Sequence, residues 1–175
     1  MPRRMSGTDA AIPAIRQRIT VPAPPEDAFA AFTDGMHAWW PREATWSGDG
    51  LERIGIEGHA GGFCFEIGPQ GRRLDWGRVT IWEPPRRLAF TWEINAGRTP
   101  AAGPAHASQV TVTFSPAAQD GTTVELLHEG WERHGAGGAA YHAEMVNGEA
   151  WARLLASYAA TVARRHEAPW DGLTT

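Results

Sequence analysis

Two different periods of hydrophobic and polar positions divide this chain. Between Ile15 and Trp131 the apolar residues mostly alternate with polar ones, the period of strands with one buried face. Ile15 to Val21 sets Ile15, Gln17, Ile19 and Val21 against Arg16, Arg18 and Thr20, with Gln17 the one polar inner position. Further strands are predicted at Leu51–Glu57, Gly61–Ile67, Leu74–Trp82, Leu88–Ile94, Gln109–Phe114 and Thr122–His128. From Tyr141 to His166 the period changes. Trp151, Leu154, Leu155, Tyr158 and Val162 fall at i, i+3, i+4, i+7 and i+11, one face of a helix. A single helix over Tyr141–His166 would be roughly 39 Å long. Its apolar stripe needs a sheet to lie against. The pattern therefore predicts an α+β fold, a curved antiparallel sheet of about seven strands wrapped around a long C-terminal helix.

The connections carry their own signals. Pro24-Pro25-Glu26-Asp27 opens a helix that ends near Gly35, with Ala28, Phe29, Phe32 and Met36 as its stripe. His37 to Pro41 reads as a second short helical turn. Two prolines in Glu83–Arg87 stop one strand, and Asp120-Gly121 marks a hairpin. Asn95–Ala107 and Gly135–Ala140 are long or glycine-rich loops, expected to gate access to the interior.

Composition narrows the function. The chain has 175 residues, 42% hydrophobic and 21% charged, with a formal net charge of −4. That suits one soluble domain over residues 15–166, with a leader at 1–14 and a tail at 167–175. All 16 basic residues are arginine, scattered as pairs with no basic stripe, so nucleic acid is not an expected partner. No apolar run is long enough to span a membrane, and the N-terminus lacks the apolar core of a signal peptide. Cys64 is the only cysteine, consistent with a cytoplasmic location.

Nine tryptophans are the unusual figure. Trp39, Trp40, Phe63, Phe65, Trp76, Trp92, Trp131, Trp151 and Tyr158 form an aromatic set that serves equally as packed core or as cavity wall. His128, His134 and His142 match no compact zinc spacing and are expected to be solvated or singly bonded, with no metal and no cofactor. His128 stands apart, because it ends an apolar strand near the last helix and suits a polar anchor or a general base. Arg78 is expected to share a face with Trp76 and Thr80, and Glu66 to lie opposite Phe63 and Phe65. Cys64 reads as a buried, inert thiol. Neither a phosphate-binding glycine loop nor a serine nucleophile elbow is present.

Several stretches together resemble a known family. They are Pro25-Glu26-Asp27-Ala28-Phe29, Trp39-Trp40-Pro41, Trp76-Gly77-Arg78-Val79 and Trp82-Glu83-Pro84-Pro85-Arg86-Arg87-Leu88-Ala89-Phe90-Thr91-Trp92. Gly121 to Leu126, His128-Glu129-Gly130-Trp131 and Trp151 to Leu155 complete the set. The chain resembles the helix-grip domains of the START-like (SRPBCC) superfamily, in the branch of AHSA-type domains named after activators of heat-shock-protein ATPase. The resemblance implies an apolar cavity between sheet and helix for a small hydrophobic, lipid-like or aromatic molecule. Trp92, Trp131, Trp151, Leu155 and Tyr158 would give it surface, and His128 and Arg78 polarity. It also leaves open a cyclase- or hydrolase-type enzyme using that cavity, and a chaperone ATPase co-activator acting through its outer surface. A homodimer is possible, with an exposed edge near Gln109–Phe114.

Overall fold

The computed structural model describes residues 11–167. Parts of the expected leader and tail, residues 1–10 and 168–175, lie outside the described residues. Seven strands form one antiparallel sheet: β1 (Ile15–Val21), β2 (Arg53–Ile56), β3 (Phe63–Gly68), β4 (Arg72–Glu83), β5 (Arg87–Trp92), β6 (Ser108–Pro116) and β7 (Thr122–Glu129). Their spatial order is β1-β7-β6-β5-β4-β3-β2. Four helices accompany them: α1 (Pro25–Phe32), α2 (Met36–Trp39), α3 (Gly138–Asn147) and α4 (Ala150–Glu167). The sheet curls around α4, which packs against β1, α1 and α2. This is the α+β helix-grip architecture.

Local chemistry explains the pieces. Pro25 occupies the first turn of α1 with Glu26 and Asp27 beside it, where a missing N–H costs nothing and acids suit the helix dipole. On α4, Trp151, Leu154, Leu155, Tyr158 and Val162 are all buried. Each such side chain contributes about 1.5–3 kcal/mol on burial, far more than any helix propensity difference. Phe29, Phe32 and Phe114 meet edge to face at centroid separations of 5.2 Å and 5.7 Å, and Tyr158 meets Phe32 at 5.2 Å. These rings tie α1, β6 and α4 into one core.

Three expectations are corrected. The helix predicted over Tyr141–His166 is two helices, α3 and α4. Gly148 caps α3 and Glu149 takes a left-handed φ of 50°, so Asn147-Gly148 ends one helix before the next begins. The strand Gln109–Phe114 is no edge, since β6 lies between β5 and β7; the edges are β1 and β2.

The third concerns β4, which is not evenly alternating. Cys64 pairs with Gly77 and Phe65 with Asp75, leaving Trp76 as an extra residue. Val79 pairs with Phe90 and Ile81 with Ala89, leaving Thr80 as another. Each bulge turns successive side chains to the same face. Trp76 and Val79 therefore both point inward, while Arg78 points outward, away from Trp76.

Candidate functional site

The inner surface between the sheet and the helices is paved with indoles. Trp40 on the turn after α2 meets Trp76 of β4 at 5.4 Å and Trp92 of β5 at 6.4 Å. Trp92 in turn meets Trp151 of α4 at 5.3 Å. Trp39 packs behind them, its Nε1 donating to the Ala31 and Phe32 carbonyls. Tyr158 donates to the Ala28 carbonyl at 2.7 Å, and Trp92 donates to the Tyr141 hydroxyl at 2.8 Å. Burial pushes the Tyr141 hydroxyl up to about 12, so both tyrosines serve as neutral anchors. Leu155 is buried beneath this layer.

Beside the indoles lies a niche of about 20 Å³, lined by Trp40, Trp46, Ile54, Glu66, Trp76 and Ile94 with Ala44 and Arg98 at its margin. That volume is the room one water molecule needs. Trp76 Nε1, fully buried in its wall, makes no hydrogen bond among the described residues. Glu66 is buried too. Its oxygens accept from the Trp46 and Ser47 backbone N–H groups at 3.1 Å and 2.7 Å, and from the Ser47 hydroxyl at 2.6 Å. From the 95–100 segment, Arg98 lines the niche. Trp46 Nε1 donates to the Arg98 carbonyl at 2.6 Å, and the Arg98 guanidinium donates to the carbonyls of Glu43 and Thr45. Arg98 holds a left-handed φ of 62°.

A second polar feature runs from the core to the same loop. Trp151 Nε1 donates to His128 Nδ1 at 2.9 Å. His128 must then carry its proton on Nε2, which meets Ser108 Oγ at 2.7 Å. Ser108 passes its own hydrogen to His134 Nε2 at 2.7 Å. His134 Nδ1–H remains to donate to Asn95 Oδ1 at 2.8 Å. The chain of donors thus has one direction, from α4 to the 95–107 loop. Burial first, then the nearby His134 and His142, lowers the His128 pKa well below its ordinary value, and burial lowers that of His134. Trp131 lies over the His128 ring at 4.0 Å and donates to the His128 carbonyl at 3.1 Å.

Of the twelve residues singled out in the sequence, Trp40 and Trp76 line the niche, and Trp92 and Trp151 adjoin them. Trp39, Trp131, Leu155, Tyr158 and His128 are core. Phe63 and Arg78 are not inside, and Phe65, though buried, lies under Arg53 and Arg73 rather than among the indoles. Arg78 sits 4.6 Å over the Phe63 ring and Arg73 4.5 Å over Phe65, on the outer face of the sheet. His134, expected to be solvated or singly bonded, is a half-buried link between Ser108 and Asn95. Glu66 lies on the face opposite Phe63 and Phe65, as expected, and is buried facing inward. Ser108, Asn95, Trp46 and Arg98 escaped sequence reading. The length of the Asn95–Ala107 loop hinted at Asn95 and Arg98 alone, and the partners of all four lie 20 to 55 residues away.

Known proteins share this fold. An anthrahydroquino-gamma-pyrone synthase, Txn09, described in complex with SUM, is 32% identical. The match covers 87% of this chain and 97% of that one, with a TM-score of 0.60. CalC, a self-sacrificing resistance protein from Micromonospora echinospora, is 23% identical over 90% and 99% of the two chains, with a TM-score of 0.60. The Aha1 dimer from Colwellia psychrerythraea is 21% identical over 86% and 96%, with a TM-score of 0.55. No curated protein matches the chain. The model of the family described as activator of Hsp90 ATPase homolog 1-like protein matches residues 22–163. With most of its length and its helix-grip fold accounted for in this way, the chain belongs to that family.

Proposed function

We propose that this protein binds a small hydrophobic molecule against the inner indole surface, between the sheet and α4. The observation that carries the reading is the contiguous layer of Trp40, Trp76, Trp92 and Trp151 beside a niche roofed by a loop strap. Small-molecule sites are mostly apolar with a few placed polar groups. The niche is water-sized with the strap in place, so a ligand enters only as residues 95–100 move. The 32% identical synthase, described in complex with a compound, supports a ligand site in this fold. The cytoplasm and a homodimeric state remain part of the proposal, the latter supported by the dimeric relative.

The cyclase or hydrolase reading is weaker on specific grounds. A general base needs a free lone pair within reach of its substrate. Both ring nitrogens of His128 are engaged, by Trp151 and Ser108, and both of His134, by Ser108 and Asn95. Glu66 at the niche accepts three hydrogen bonds. These groups are arranged to hold structure.

Native mass spectrometry of protein purified without detergent tests the proposal. The expected result is a discrete added mass, extractable as an apolar compound. A mass equal to the bare chain, with no saturable binding of 1-anilinonaphthalene-8-sulfonate, would overturn it.

A further inference from the structure

We propose that the niche under the Arg98 strap is the polar end of the ligand site. It takes a ligand bearing a carbonyl-type oxygen, received by Trp76 Nε1, with Arg98 as the latch. The proposal rests on the ligand-binding reading above and adds what the ligand must carry and how it gets in.

A buried N–H is almost always paired. Indole N–H groups throughout this core obey that rule. Trp39 and Trp40 donate to backbone carbonyls, Trp46 to Arg98, Trp92 to Tyr141, Trp131 to His128 and Trp151 to the His128 ring. Trp76 breaks it. Its exception coincides with the one bulge that turns it toward the niche. An indole nitrogen only donates, so its partner must be an acceptor.

The other groups around the niche sharpen the class. Glu66, the one carboxylate there, already accepts from three donors of residues 46–47, which stabilise its charge without a bound cation. Apart from Arg98, the remaining lining is Trp40, Ala44, Trp46, Ile54 and Ile94, flat or aliphatic. A neutral, flat molecule with an oxygen acceptor at its leading edge satisfies every surface at once.

The latch follows from how the strap is held. Three bonds join residue 98 to the 43–46 segment, all made by Arg98 or Trp46. No strand ladder crosses there. Arg98 keeps a left-handed backbone that only surrounding contacts can enforce. Removing the guanidinium releases two of the three bonds and leaves the strap on the Trp46 indole and the Asn95–His134 bond alone, so it opens more readily.

A matched pair of probes isolates the oxygen. Fluorenone and fluorene differ by one carbonyl, and quenching of tryptophan emission reports both. Wild-type protein is expected to bind fluorenone about tenfold more tightly, the worth of one hydrogen bond to an otherwise unpaired buried donor. Trp76→Phe, which keeps an aromatic ring, brings the ratio to about one without weakening fluorene more than a few-fold. Arg98→Ala keeps the preference and raises the association rate of both probes in stopped flow. Equal affinities in wild type, or a preference that survives Trp76→Phe, would overturn the acceptor assignment while leaving hydrophobic binding intact. An unchanged association rate in Arg98→Ala would overturn the latch. If neither probe binds wild type or Arg98→Ala, the binding reading itself falls. The wild-type comparison needs no variant, so a poorly folded Trp76→Phe does not blunt the test.

Discussion

His128 accepts a hydrogen bond from Trp151 on a nitrogen that must stay unprotonated. Its pKa is depressed by burial, and that of His134 likewise. The unfolded chain takes up protons near the ordinary histidine pKa, about 6.5. The folded protein resists until well below it. The unfolded state therefore binds more protons as pH falls, and stability drops. Stability is full above about pH 7 and declines below about 6.5, by up to about 1.4 kcal/mol per pH unit for His128. His128→Gln can still accept from Trp151 and donate to Ser108, but it does not titrate. Urea unfolding from about pH 8 to about pH 5 is expected to show a flatter profile in His128→Gln than in wild type. Identical slopes would mean His128 does not carry the pH dependence. From the sequence, His128 was recognisable as a polar residue closing an apolar strand. Its bond to Trp151, 23 residues later, was not, since nothing local encodes it.

At the scale of elements, the junction of α3 and α4 carries a removable cost. A non-glycine residue in the left-handed region costs about 1–2 kcal/mol, and Glu149 sits there at φ 50°. Glu149→Gly is expected to stabilise the protein by about 1 kcal/mol, raising Tm by about 2–4 °C in a calorimetric scan. A lower Tm would show that the Glu149 side chain contributes more than its backbone costs. The seven strands were legible because each alternation was bounded by Gly, Pro or Asp. The helix break was signalled by Asn147-Gly148 but hidden by the apolar stripe of α4. Arg78 was misplaced for a different reason. Alternation counts residues, and a bulge adds one that the count cannot see.

Over the whole molecule, the strap and the sheet should differ in how they open. The central strands share ladders on both sides. Residues 95–100 are held by the Arg98 guanidinium on the Glu43 and Thr45 carbonyls and by the Trp46 and His134 side chains reaching across to them. In native-state hydrogen exchange, the Arg98 and Ala101 amides are expected to exchange through a local opening, insensitive to low denaturant. Val110 and Val112 should exchange only with global unfolding. Equal opening energies in the two regions would make the strap part of the rigid core and remove its role in access. The overall topology was readable, because a long apolar helix after many alternating strands has few ways to be buried. Where the interior keeps room was not readable. Packing decides that, and most of the aromatic set proved to be filling.

The two bulges of β4 leave that strand with slack. Trp76 and Thr80 are surplus to the ladder, so the sheet gains length on one strand without losing a single inward or outward assignment elsewhere. Surplus length in one strand bends a sheet. A chain shortened by Thr80 alone would keep Val79 and Trp82 on their present sides and lose part of the bend. Such a protein would fold flatter and hold α4 less closely. The width of the interior in this architecture is thus tunable by single-residue deletions in one strand, a step that leaves each remaining side chain on its present face.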